Sequence, residues 1–182
     1  MTNEHVCPLQ MAGLLDNWVR RIIHNPKKIF KGLIKKGQSV LDLGCGPGTF
    51  TIDMAKMTGE KGKVFAVDLQ KGMLELVEKK AGKFRVQDRI VVHQCSKEGI
   101  GLTEPIDFAL AFYMLHESGN PESLLKEIFK MLKPGGKFFL VEPKMHIKKK
   151  VYLEAVESAK KIGFVVDSER KIAGSWAVVL RK

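Results

Sequence analysis

Apolar residues fall along the chain in two rhythms, and the switches between them divide it into helices and strands. Met11, Leu14, Leu15, Trp18, Val19, Ile22 and Ile23 recur at helical spacing, with Arg20 and Arg21 off the stripe, which predicts an amphipathic helix over residues 9–23. A second helix is predicted over residues 26–34, opened by Pro26, carrying Ile29, Phe30, Leu33 and Ile34 inward, and stopped near Gly37. Beyond it, short β-rich apolar runs alternate with helical patterns. Strands are predicted at 39–43, 63–68, 90–93, 106–112 and 137–142, and helices at 50–57, 69–81, 122–132 and 148–162. Asn120-Pro121-Glu122 marks a helix start, Lys133-Pro134-Gly135-Gly136 a helix stop and turn, and Gly163 another stop. Two last strands, 164–167 and 176–180, join through a short turn near Ala173 and Gly174 as a hairpin. Strands that alternate with helices in this way imply an α/β fold with a largely parallel sheet.

The first junction between strand and helix carries the chemistry. It reads Asp42-Leu43-Gly44-Cys45-Gly46-Pro47-Gly48. Glycine at every second position lets a loop take positive φ and brings backbone amides close to a ligand, while the helix start beyond adds partial positive charge. The dinucleotide fingerprint is G-x-G-x-x-G, whereas here the third glycine comes one position early and Pro47 removes an amide that a pyrophosphate would use. A carboxylate at Asp42 would repel a diphosphate but suits a cationic head, such as an ammonium beside a sulfonium. Glycine-rich turns of this kind also form with no ligand, and a second motif weighs against that. The strand ending at Asp68 delivers an acid 20 residues after Gly48, where the next parallel strand meets ribose hydroxyls. Asp68 could equally cap the helix that follows.

The D-x-G-x-G-x-G pattern resembles motif I of the class I S-adenosylmethionine-dependent methyltransferases. The resemblance covers about residues 38–182. It implies a three-layer, Rossmann-like, seven-stranded sheet of order 3-2-1-4-5-7-6, with strand 7 antiparallel and helices of an N-terminal lid over the pocket. The expected layout is a lid at 1–37 and an S-adenosylmethionine-binding domain at 38–182, one compact domain overall. By resemblance, Asp42, Gly44, Cys45, Gly46 and Gly48 hold the cofactor's tail, Asp68 its ribose, and Leu69 and Met73 its adenosine, although Met73 reads equally well as core. The family usually offers an aspartate to the adenine amino group after strand three. Here Gln94-Cys95-Ser96 stands in that place, so the contact falls to Cys95, the Ser96 hydroxyl, Gln94 or backbone groups.

Phe112 ends strand four beside the cofactor, and Phe112-Tyr113-Met114-Leu115-His116-Glu117 resembles the segment after strand four in small-molecule methyltransferases of the quinone and metalloid-acceptor type. Tyr113, His116 and Glu117 are therefore expected on the acceptor side, His116 to take a proton from the acceptor or orient it, or else to fill a helix turn. Glu142 and His146, at the carboxyl end of strand five, are expected on the same side. Trp18 and Arg21 are lid candidates, with the alternative that their helix only buries Trp18.

Composition narrows the partners. The excess charge of +11 is uneven: residues 1–39 carry 7 basic and 2 acidic residues, 40–132 carry 12 and 13, and 133–182 carry 12 and 5. Basic ends could attract nucleic acid or an acidic protein, yet the charge is mostly lysine without interleaved aromatics, which favours a solvated surface. Cys7, Cys45 and Cys95 have neither zinc nor disulfide spacing, so free thiols in the cytoplasm and no metal are expected. No apolar run approaches the roughly 20 residues that span a bilayer, and no signal peptide or membrane contact is expected.

A methyl sulfonium is already electrophilic, so alignment, exclusion of water and removal of one proton suffice, and no triad or metal motif is needed. The Asn/Asp-Pro-Pro-Tyr/Phe motif of base and glutamine methylation is missing, as is the Lys-Asp-Lys-Glu tetrad of ribose methylation. The expected function is direct in-line methyl transfer to a small-molecule acceptor. The alternatives are a nucleic acid or protein acceptor, a thiol or metalloid engaged by Cys7, and a non-catalytic cofactor-binding partner subunit. A nicotinamide-dependent oxidoreductase is disfavoured by the glycine spacing and Asp42.

Overall fold

The computed structural model describes residues 23–182. Most of the helix expected over residues 9–23, with the lid candidates Trp18 and Arg21 and the thiol Cys7, lies outside the described residues. Seven strands form one sheet: β1 (Ser39–Leu43), β2 (Lys63–Asp68), β3 (Ile90–Gln94), β4 (Ile106–Phe112), β5 (Leu132–Pro143), β6 (Val165–Glu169) and β7 (Ser175–Arg181). Their order is β3-β2-β1-β4-β5-β7-β6. The first five pair in parallel, and β7 runs antiparallel to both β5 and β6. The described α-helices are α1 (Pro26–Ile29), α2 (Thr51–Thr58), α3 (Lys71–Lys83), α4 (Pro121–Met131) and α5 (Lys149–Ile162).

Period-two alternation explains the three layers. Leu41 and Leu43 of β1, Ala109 and Ala111 of β4, and Phe138 and Leu140 of β5 point to one face, where Leu125 and Ile128 of α4 and Tyr152 and Val156 of α5 cover them. Val40, Phe108, Leu110, Phe139 and Val141 point to the other, under Ile52, Met54 and Ala55 of α2 and the Phe30 and Phe50 rings. The central strands are apolar at nearly every position because both their faces are covered.

Two expected elements differ. The helix expected over 26–34 is a single turn, Pro26–Ile29, capped by the Asn25 side chain, which accepts from the Lys27 amide at 3.0 Å. Gly32, at φ +75°, turns the chain out of the helix. Phe30 and Leu33 stay buried all the same, Phe30 meeting Phe50 and Phe108 edge-on. The second difference is at Lys133-Pro134-Gly135-Gly136, which lies within a strand. Leu132 already pairs with Ile106, and pairing resumes at Lys137 opposite Phe108, so the phrase forms a bulge in β5. The end of β7 braces this bulge: the Gly135 amide donates to the Lys182 carbonyl and the Lys182 amide to that of Gly136, both at 3.0 Å.

Candidate active site

The carboxyl ends of β1, β2, β4 and β5 open on a cavity of about 380 Å³, within the range of small-molecule sites. It lies where the chain, having run from β1 to β2 and β3 on one side, returns to β4 on the other side of β1, the crevice in which open α/β sheets hold ligands.

At one end the glycine loop and two acids shape the wall. Gly44 and Gly46 have φ of +67° and +52°, and a Cβ on Gly44 would lie 2.7 Å from the Cβ of Met114. Gly48 departs from the ligand contact expected of it. It is off the cavity wall, and its missing Cβ makes room for Val77 of α3, which such an atom would approach to 3.1 Å. Asp42 is buried on the cavity floor and accepts a 2.6 Å hydrogen bond from the Thr51 hydroxyl at the start of α2. Burial outweighs that bond and, with the charge of Asp68, pushes the Asp42 carboxyl up to about 6. Asp68 accepts the Gly46 amide on one oxygen and the Gln70 amide on the other, both at 2.9 Å. It thus ties β2 to the glycine loop and to the turn before α3 without capping that helix, whose N-cap is Gln70. Burial still holds its carboxyl above the usual range.

Cys45, Leu69, Met73, Cys95, Ser96 and Phe112 also line the cavity. Burial, reinforced by the neighbouring acids, pushes both thiols up, that of Cys95 to about 11, so they stay protonated at neutral pH. The Ser96 hydroxyl oxygen accepts from the Glu98 amide at 3.2 Å. Gln94 is exposed and off the wall, its amide donating to the Leu69 carbonyl at 3.0 Å.

At the other end, Tyr113, His116, Glu117 and His146 reach the cavity. Tyr113 follows β4 with φ +63°, a left-handed conformation that costs a side chain about 1–2 kcal/mol. Its hydroxyl lies 2.5 Å from the Ser175 hydroxyl of β7 and 3.5 Å from Nε2 of His24, contacts that help hold it there. His116 sits in a single 3₁₀ turn, Leu115–Glu117. Its Nδ1 bonds one carboxylate oxygen of Glu142, and its backbone amide donates to the other at 3.3 Å. Glu142 was expected to face the acceptor; instead it is buried off the cavity wall and clamps His116 from behind. The His116 Nε2 lies 4.0 Å from a Glu117 oxygen. Burial disfavours the imidazolium, but the bond to Glu142 and the charges of Glu142 and Glu117 outweigh it and raise the His116 pKa.

The comparisons with known proteins agree with this geometry. A family profile described as a methyltransferase domain matches residues 34–174. The chain belongs to the S-adenosylmethionine-dependent methyltransferases. It is 36% identical over 118 residues to a demethylmenaquinone methyltransferase of Lactobacillus johnsonii, a match covering 64% of this chain and 48% of that protein. It is 30% identical over 110 residues to the ubiquinone/menaquinone biosynthesis C-methyltransferase UbiE of Salmonella arizonae, covering 60% and 44%. The chain thus spans about half the length of the curated relatives it matches. Its fold superposes on a SAM-dependent methyltransferase of Aquifex aeolicus with a TM-score of 0.86 at 24% identity, covering 97% of this chain and 99% of that one.

The methyltransferase cofactor fits the residues present. Asp42 and Asp68 are buried acids with no ion-pair partner among the described residues, so a ligand bringing an ammonium and hydroxyl donors would relieve both. A carboxylate has about four acceptor positions, which leaves Asp68 capacity beyond the Gly46, Leu69 and Gln70 amides. Among the described residues no helix is long and apolar enough to cross a membrane. Sequence reasoning missed Thr51, the pairing of His116 with Glu142, and the presence of Glu127 on the cavity wall. Of these only Thr51 left a local signal, a hydroxyl in the first turn of the helix after the glycine loop.

Proposed function

We propose that this domain methylates a small acceptor carrying an acidic hydroxyl, a hydroxylated ring of the quinol kind, with His116 receiving the acceptor's proton. The single observation behind this reading is the His116–Glu142 pair at the end of the cavity away from the buried acids. S-adenosylmethionine supplies an electrophilic methyl group when bound. Asp42 and the glycine loop hold its tail, Asp68 orients its ribose, and the apolar wall of Phe112, Met114 and Leu124 excludes water. Glu142 accepts from Nδ1–H of His116, which selects the tautomer with a lone pair on Nε2. That nitrogen takes the proton from the acceptor hydroxyl, the ring gains nucleophilic character, and the imidazolium formed is stabilised by Glu142 and Glu117. The relatives named for demethylmenaquinone and for ubiquinone and menaquinone biosynthesis support a ring acceptor. Cys45 and Cys95, both free thiols, support a reducing, cytoplasmic setting.

The test is transfer of an isotopically labelled methyl group from S-adenosylmethionine to demethylmenaquinol, read by mass spectrometry. Labelled product is expected, with a His116→Asn variant slower by about 100-fold or more at unchanged cofactor affinity. Turnover that is unaffected by the substitution would remove His116 from the reaction.

A further inference from the structure

The wall that should hold the adenine lacks the aspartate usual after strand three, and the structure supplies a carboxylate there from a different element. Glu127, on α4, lines the cavity beside Cys95, Ser96, Gly99 and Ile100. One of its oxygens accepts the Ile100 amide at 2.8 Å. The carboxylate lies so close to the backbone that a Cβ on Gly99 would sit 2.5 Å from the other oxygen, so the absence of a side chain at 99 is what admits it. Glu127 makes no further hydrogen bond or ion pair among the described residues, which leaves that second oxygen with acceptor capacity. It also contributes to raising the Cys95 thiol, behind burial and Asp68, which agrees with its place at the end of β3.

The other acceptors near this wall are already engaged or distant. The Ser96 oxygen takes the Glu98 amide, the Gln94 side chain is off the wall, Asp68 belongs to the end of β2, and Glu98, though on the wall, is exposed and its carboxylate bonds the Ser96 hydroxyl. Cys95 offers only a weak acceptor. We infer that Glu127 is the specificity residue for the nucleobase: its carboxylate accepts the exocyclic amino group of adenine and selects a 6-amino purine over a 6-oxo one. A 6-oxo group would set a carbonyl oxygen against the carboxylate, and two acceptors facing one another without a proton repel. The inference rests on the family's cofactor and goes beyond it by naming which side chain reads the base.

The experiment is calorimetric titration of the full chain with S-adenosylhomocysteine and with S-inosylhomocysteine, for the wild type and for Glu127→Gln. Glutamine keeps an oxygen for the Ile100 amide and turns an NH₂ toward the base, so the loop retains its anchor while the polarity seen by the purine is reversed. The wild type is expected to prefer the adenosine ligand by about 10- to 100-fold, and the variant to lose that preference through weaker adenosine and equal or tighter inosine binding. Two outcomes overturn the inference: a preference unchanged in the variant, or a fall of both affinities by the same factor, which would make Glu127 a loop support only. Thermal melting of the variant separates a folding defect from either, and Glu127→Asp, which keeps the charge, is expected to retain the preference for adenosine. If neither ligand binds the wild type, the cofactor reading itself fails and the inference with it.

Discussion

The two ends of the cavity are built in different ways. The cofactor end comes from nearly contiguous chain: Asp42, the glycine loop and Thr51 lie within ten residues, and Asp68 joins them through an amide bond to Gly46. The acceptor end is assembled across the sheet, His116 with Glu142 from β5, and Tyr113 with Ser175 from β7 and His24 before α1. The electrostatics differ to match. At the cofactor end, burial raises two acids that have no cation partner among the described residues, so the site is poised for a positive ligand. At the acceptor end, a buried carboxylate is already paired with a histidine and raises it, so the site is poised to take up a proton.

The largest way to break the contrast is Gly44→Val. At φ +67°, with Met114 atoms 2.7 and 2.8 Å from any Cβ, the substitution opposes both backbone angle and space. Cofactor affinity should fall by about 100-fold or more, equivalent to about 3 kcal/mol, with His116 chemistry lost only because no cofactor arrives. Calorimetry with S-adenosylhomocysteine checks it; full affinity would mean that the loop is not at the ligand.

Asp68→Ala comes next, at about 1–3 kcal/mol of cofactor affinity. It also strands the Gly46 and Gln70 amides, so the melting temperature should fall too. Asp68→Asn keeps an acceptor for only one of those amides and turns an NH₂ toward the other, so its melting temperature should fall less than that of Asp68→Ala; an affinity loss as large as alanine's at that smaller stability loss would separate the ligand-facing role from the structural one.

The smallest effect is expected of Glu142→Gln. Removing the anion lets the His116 pKa drop, so the limb where activity rises with pH, as the neutral imidazole forms, should move toward acid, and the plateau rate should fall. Cofactor affinity should not change. A limb that stays put would mean that Glu142 does not set the histidine's charge.

This contrast also explains what could be read from the sequence. The strands and helices were legible because they follow local hydrophobic periods, their order in the sheet only through the family resemblance, and the glycine loop because its chemistry is written in seven consecutive residues. Where local pattern competed with tertiary context, the reading slipped. Gly32 ended a helix that Ile29, Phe30 and Leu33 would have prolonged, and Pro134-Gly135-Gly136 became a bulge because Leu132 pairs with Ile106 before the turn and β7 holds the turn from beyond. Glu142 read as an acceptor-facing acid, since strand-end position says which end of the sheet a residue reaches but not whether a histidine 26 residues away will take it. Glu127 had no signal at all, because its place on the wall depends on the packing of α4 beside the loop after β3 and on the missing side chain at Gly99.

The most direct test of a cavity built for a cation-bearing nucleoside is the pH dependence of S-adenosylhomocysteine binding, measured by calorimetry between pH 5 and 8 for the wild type and Asp42→Asn. Because the free Asp42 carboxyl titrates at about 6 and the ligand's ammonium favours its ionised form, affinity should weaken as pH falls through 6, by about tenfold between pH 7 and 5. The variant should bind more weakly and lose most of that dependence. A wild-type affinity that stays level through pH 6, or tighter binding of a nicotinamide dinucleotide than of S-adenosylhomocysteine, would contradict it.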